Sequence, residues 1–482
     1  MRKQKLYSIL WSVMDVALYP VAYMLTLPYF MHQLGLELFG IWMLVNGFLI
    51  SGQLFNFGIG TATLRNVSRF LSLNQDAEVS RTINSNLVTT LLIGVMSLII
   101  GLGVIAGIQT WNWFSFRPEY RESVAYCLII TAPILTLKFM EQVLQNALRA
   151  HEKFVLSSVL SMCSRFSVLG INILLIAFKV RSIEWLLLVN LVILAGINLM
   201  LFLAVKRTNP MIHFGLHFSR QRVMEEIQYG KWTWMQSLMV ILTYQSDRFL
   251  VMIFFGPATL AYYAIVSTMF NHIHMCYIAL APWLFPTLAK MKQQGEASLG
   301  QYIKIRSYIL VLAVVSLWVF YLTNEFILKY WIGVENYAEI SELITLFILF
   351  ELLFVFTIVP YIYCNSSGFE KLYTKITGMF TSMNLAGMLA GCYFSQDVHG
   401  MVWGLVCTTL PAMMIQNYIL NRSIFHQPVL NEALWVFLPP LLVAFAILSS
   451  VIMVQLFIAG ITLYLLYRLY YLKIVNRDVV AG

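Results

Sequence analysis

Asp247 and Arg248 stand side by side in YQSDRFLVMIFFGPATLAYYAI, an otherwise apolar run long enough to cross a membrane. An ionised side chain at bilayer depth costs roughly 2.5–3.5 kcal/mol on insertion scales, so each needs a partner, water or a task. Neighbouring helical positions diverge by about 100°, so the two cannot simply neutralise each other. Asp15, Lys138, Glu141, Arg165 and Glu351 fall in similar apolar runs. At about 1.5 Å per residue, Lys138 lies roughly 16 Å above Arg149, and Arg165 roughly 18 Å above Lys153. A hairpin of these two helices therefore sets both cations at one depth, with Glu141 one turn from Lys138 as a candidate partner. Such groups either tie helices together as ion pairs or face a watery cavity, where they meet a polar, charged cargo or a coupling ion. The cations and carboxylates are close to balanced, so the sign of a cargo does not follow from them. A polar interior does.

Other chemistry is missing. No GxxxxGK[ST] loop is present to cradle a nucleoside triphosphate, and there is no HExxH. His272 and His274 are two apart and lie on different helix faces. The six cysteines, Cys127, Cys163, Cys276, Cys364, Cys392 and Cys407, show no CxxC spacing and read as small apolar packing residues. The longest polar connection runs for only about 25 residues from Lys206 to Gly230, too little for a conventional extramembrane active site. An enzyme is therefore not expected, and neither are a metal or a resident cofactor.

The elements that position these residues are helices. With 60% hydrophobic residues, 11% charged and a mean hydropathy of +0.77, the chain is far more apolar than a soluble globule. Its apolar segments approach 20 residues, twice the length of a barrel strand. The expected spans are 8–31, 38–63, 86–108, 123–146, 155–178, 184–205, 232–255, 259–288, 305–324, 340–364, 373–394, 400–420, 433–450 and 452–471. The fold class is an all-α polytopic membrane protein with 12–14 transmembrane helices, in two pseudo-symmetric six-helix lobes plus a C-terminal helix pair. The first segment, after Arg2, Lys3 and Lys5, is too long for a signal-peptide core and reads as a retained helix.

Basic residues test this layout. Only Arg117, Arg121, Lys179, Arg181 and Lys329 fall in loops on one side, so both termini are expected in the cytoplasm. Topology accounts for the net charge of +9, and a nucleic-acid partner is not expected. The boundaries read from the segments are 1–205 for the first lobe, 206–230 for a cytoplasmic linker with an interfacial helix, 231–421 for the second lobe, and 422–482 for the remaining helices and tail. Setting LGLELFGIWMLV from Leu34 against FGPATLAYYAIV from Phe255 aligns Gly35 with Gly256 and Trp42 with Tyr263, a short parallel repeat of the first outside turn of each half. Prolines at 20, 28, 133, 282, 286, 360 and 411 allow kinks in the same helices.

Three stretches carry a family likeness: ELFGIWMLVNGFLISGQLFNFGIGTATLRNVSR, NALRAHEKF and SDRFLVMIFFGPATLAYYAI. Together they resemble the O-antigen flippases (Wzx-like) in the polysaccharide-export branch of the multidrug/oligosaccharidyl-lipid/polysaccharide (MOP) exporter superfamily. Many relatives have an acidic residue before the Phe-Gly of helix 2, where this chain has Asn56. The resemblance implies translocation of an undecaprenyl-pyrophosphate-linked oligosaccharide, without covalent change, to the outer leaflet of a bacterial inner membrane. It also implies partnership with membrane lipids, a polysaccharide polymerase and a chain-length regulator. On this reading Arg65, Lys138, Arg165 and Arg248 guide the pyrophosphate. Asp15, Glu141, Asp247 and Glu351 serve either cavity pairing or coupling to a proton or sodium gradient. Two alternatives stand beside it: a drug/cation antiporter of the same superfamily, distinguished by drug susceptibility, and a membrane-embedded glycan-modifying enzyme, distinguished by the glycan product.

Overall fold

The computed structural model describes residues 2–56, 58–111, 118–215, 220–278, 297–367, 369–425 and 447, excepting chiefly the side chains of 2–17 and of most of 220–233. The described residues are helical almost throughout. They form α1 (Arg2–Leu34), α2 (Leu36–Gly52), α3 (Ile59–Ser72), α4 (Asp76–Trp111), α5 (Pro118–Ala150), α6 (Phe154–Ala177), α7 (Ile183–Thr208), α8 (Arg220–Ile278), α9 (Ala297–Ile332), α10 (Val334–Phe354), α11 (Ile358–Ser367), α12 (Glu370–Ser395) and α13 (Val398–Leu420). Among them eight helices are long and apolar enough to cross a membrane. The protein is an all-α polytopic membrane protein. The expected spans 433–450 and 452–471, with Pro282 and Pro286, lie outside the described residues apart from Ile447.

Three sequence expectations change in detail. The span expected at 38–63 is two helices, because the chain passes through a 3-10 turn at Gln53–Asn56 and then Gly58 at φ 76°, ψ 14°. A left-handed residue ends a helix, and glycine adopts that conformation without a Cβ penalty. The span expected at 340–364 is interrupted by a 3-10 turn at Val355–Thr357. Pro360 accounts for it, since its ring removes the N–H that would bond the carbonyl four residues back, at Phe356. The interfacial helix expected before residue 232 is not separate: α8 starts at Arg220 and continues without a break to Gly256.

At Gly256 the backbone turns with φ 82° and ψ −178°, dividing α8 into two limbs. Gly35, between α1 and α2, has φ 78° and ψ 163°. The two glycines aligned by the repeat thus share a conformation essentially confined to glycine. Gly333, between α9 and α10, has it too, at φ 88° and ψ 157°, so this geometry is a device for tight turns generally and is not peculiar to the repeat.

The chain divides into two compact units, Met1–Ala264 and Ile265–Gly482. In the first, α5 is central, packing on α2, α3, α4, α6 and α7. Its core joins Ile83, Phe139, Leu144, Leu148, Leu201 and Ile212. Ile212 belongs to the connection after α7. That connection is pinned to α4 by Asn209 Nδ2 donating to Asp76 Oδ1 at 2.8 Å and Asn84 Nδ2 donating to the His213 carbonyl at 2.7 Å. In the second unit α12 and α13 approach closely through Gly387, Gly391, Gly400 and Gly404, where a Cβ on Gly391 would lie 2.1 Å from the Gly400 carbonyl oxygen. Small residues four apart permit this backbone contact, as in other membrane helix pairs. The span Val334–Asn365 is the most enclosed, with 89% of its apolar window buried against 28% for Phe154–Ala177. It carries Glu351.

Candidate functional site

In the first unit, α5 presents Lys138, Glu141 and Gln145 at helical spacing on one face. Lys138 Nζ donates to Glu141 Oε2 at 3.0 Å and to Ser164 Oγ of α6 at 3.4 Å. Gln145 Nε2 donates to the second carboxylate oxygen, Glu141 Oε1, at 3.0 Å. The Glu141 side chain is 7% exposed, and that of Lys138 is 32% exposed. The ammonium has three N–H donors, two of which these contacts use. It therefore keeps capacity for a further acceptor.

Ser164 is followed by Arg165, so the α5–α6 hairpin brings Lys138 and the start of the Arg165 side chain to the same level. The Arg165 guanidinium carbon lies 6.0 Å from the Tyr19 ring centroid. Tyr19 stacks on Tyr23 at 5.9 Å and meets the edge of Phe166 at 6.1 Å. A guanidinium at that distance from a ring is held by the ring quadrupole while its N–H fork remains directed outward from the π face. Cation and rings together form a surface suited to a phosphate beside a sugar or another flat, partly apolar group.

Asp247 and Arg248 are both buried. The Tyr263 hydroxyl, across the Gly256 turn, donates to Asp247 Oδ2 at 2.7 Å, and the backbone N–H of Arg248 donates to Asp247 Oδ1 at 2.8 Å. The Asp247 carboxylate thus ties the two limbs of α8 together. Close packing supports the same turn, since a Cβ on Gly40 of α2 would overlap the Pro257 carbonyl at 1.9 Å.

The other expected positions are dispersed. Arg65 is exposed on α3, one turn from the exposed Arg69, and is not joined to the Lys138 network by any described contact. The side chain of Asp15 lies outside the described residues. Glu351 is in the second unit, where His274 Nδ1 approaches its Oε1 at 2.7 Å. Sequence reasoning passed over His274, Tyr263, Gln145 and Tyr19 as site residues. Tyr263 had a signal, because it occupies the repeat position of Trp42; His274 had one only as a lone polar residue on an apolar helix.

Comparison with known proteins places this geometry. The model of a family described as polysaccharide biosynthesis protein matches residues 39–342. A Shigella flexneri protein, whose name provisionally makes it an O-antigen transporter, is 20% identical over 413 residues, covering 84% of this chain and 94% of its own. An inward-facing multidrug-resistance MATE family transporter of the MOP superfamily superposes with a TM-score of 0.63 at 15% identity, covering 83% of this chain and 96% of that one. The MATE multidrug transporter DinF-BH gives a TM-score of 0.61 at 15% identity over 88% of this chain and 97% of its own. The fold is that of the MOP superfamily. The chain belongs to the polysaccharide biosynthesis protein family.

Proposed function

We propose that this member of the polysaccharide biosynthesis protein family is a flippase. It moves an undecaprenyl-pyrophosphate-linked oligosaccharide from the cytoplasmic to the outer leaflet of a bacterial inner membrane by alternating access, breaking no covalent bond. The observation that carries the reading is the family match over 39–342, because that segment contains the Lys138–Glu141–Gln145–Ser164 network, Arg165 and the Asp247–Arg248 pair. The likeness to an O-antigen transporter and the MOP fold support it.

Residue by residue, the reading assigns the phosphates to cations. Lys138 retains donor capacity after meeting Glu141 and Ser164, and Arg165 offers a planar fork beside two tyrosine rings. Glu141 keeps Lys138 oriented and limits its charge, so a pyrophosphate is held without being trapped. The sugar passes across hydroxyls and rings, as Tyr19 and Tyr23 provide, and the polyprenyl tail stays in hydrocarbon. Arg65 and Arg69 make a basic face suited to first contact with the headgroup.

The test is depletion of the protein while lipid-linked oligosaccharide is followed in each leaflet. Complete, unmodified units should accumulate on the cytoplasmic side. Their normal appearance outside would sink the flippase, and altered glycans outside would favour an enzyme. With expression matched, Lys138→Ala and Arg165→Ala should each slow translocation at least about tenfold, corresponding to about 1.4 kcal/mol of lost interaction. Any silent substitution removes that residue from the path.

A further inference from the structure

We infer that His274 and Glu351 form an exchangeable proton site in the second unit, and that the driving ion this protein uses is the proton and not sodium. His274 Nδ1 and Glu351 Oε1 are 2.7 Å apart, with side chains 3% and 2% exposed. That separation is the one expected when a proton is held between an imidazole nitrogen and a carboxylate. The Phe354 ring stacks on the imidazole at 4.6 Å, and Phe350 and Phe380 stack on Phe354 at 5.0 and 5.6 Å.

Surroundings of this kind select the ligand. A sodium ion wants several oxygen ligands, whereas the described wall offers one carboxylate, an imidazole and phenyl rings. With one proton shared, the pair is neutral overall; without it, one negative charge is enclosed by hydrocarbon. The enclosed state therefore favours the loaded pair, and release requires the pair to meet water or another cation.

A route to such exposure is built into α10. Glu351 precedes by one turn the 3-10 segment Val355–Thr357 and the proline at 360, and 3-10 turns inside helices commonly act as hinges. Tyr277, one turn beyond His274, acts electrostatically on Glu351 and shares a hydroxyl hydrogen bond with Ser316 of α9 at 2.6 Å. The other ionisable groups described on packed elements are engaged elsewhere. On α9, Arg306 donates to Asn417 Oδ1 of α13 at 2.8 Å. On α12, the Tyr373 hydroxyl donates to the Thr357 carbonyl at 3.3 Å. On α13, His399 lies 3.8 Å from Glu342. The proton site itself does not depend on the cargo; its use as the energy source rests on the flippase reading.

The test uses the purified full-length protein in lipid nanodiscs, titrated from about pH 5 to pH 8, the range in which histidine changes charge. Infrared difference spectra should show a carboxyl band that rises and falls with pH, disappears in Glu351→Gln and does not respond to added sodium. No such band, or one that tracks sodium, would overturn the inference. In proteoliposomes carrying lipid-linked oligosaccharide, an imposed proton gradient should accelerate flipping at least fivefold. Glu351→Gln, which preserves a hydrogen bond to His274, should abolish that acceleration, while Glu141→Gln should retain it. Equal acceleration in Glu351→Gln would reduce the pair to a structural tie. Failure of the wild type to flip at all would count against the proposed function, and the titration would still decide the proton site.

Discussion

Two buried carboxylates, one in each unit, are held in opposite ways. Glu141 shares its oxygens between an ammonium and an amide, and its partner Lys138 remains about a third exposed. Glu351 meets a single imidazole that is itself covered by an aromatic ring. The first arrangement leaves a cation able to bind something else, whereas the second leaves little but a proton to exchange. The contrast teaches that a charged residue in an apolar run has no fixed role: the neighbours decide whether it recognises a cargo, carries a proton or ties helices together.

That contrast is sharpest in stability. Glu351→Ala should destabilise the protein by roughly 3–5 kcal/mol, the loss expected when one partner of a buried pair is removed. Glu141→Ala should cost about 1 kcal/mol or less, because Lys138 can turn toward water. Thermal unfolding in detergent would measure both, and equal losses would erase the distinction. Next in size is Tyr263→Phe, which takes a donor from the buried Asp247 carboxylate and should cost about 1–3 kcal/mol. If stability is unchanged, Asp247 does not tie the limbs of α8. Gly256→Ala should cost about 1–2 kcal/mol through backbone strain, and Gly35→Ala and Gly333→Ala should cost similar amounts because the three turns share one geometry. The smallest effect is expected for Tyr19→Leu, about 0.5–1 kcal/mol from the lost Arg165 contact, with a modest slowing of flipping. Tyr19→Phe should restore both, and failure to do so would shift the role from ring to hydroxyl.

Much of the architecture was legible before any coordinates. The helix positions followed from apolar runs, and the Gly35–Gly256 alignment pointed to two turns with the same backbone. The breaks at Gly58 and Val355–Thr357 were harder to see, because hydropathy runs through both while the determinants are a left-handed glycine and a single proline. The glycine contacts between α12 and α13 were also written in the chain, as Gly387 and Gly391 facing Gly400 and Gly404, but they gained meaning only once those helices were adjacent.

At the candidate site the division is similar. Lys138 and Glu141 could be paired from sequence because they lie one turn apart, and the hairpin placed Arg165 at their level. Glu351 could not be assigned a partner, since His274 stands 77 residues away and looked like an isolated polar residue. Tyr263 reaches Asp247 only because the chain reverses at Gly256.

The sequence by itself determined that this is a helical membrane protein, where its spans lie, and which residues carry a charge that hydrocarbon will not tolerate alone. These are local properties, set by side-chain transfer energies and by the backbone limits of glycine and proline. Only the tertiary structure decided what answers each charge: a lysine, an amide and a serine around Glu141, a tyrosine for Asp247, and a histidine sealed by phenylalanine for Glu351. Pairing depends on which helices become neighbours, and no single segment encodes the identity of the group that packing brings to it.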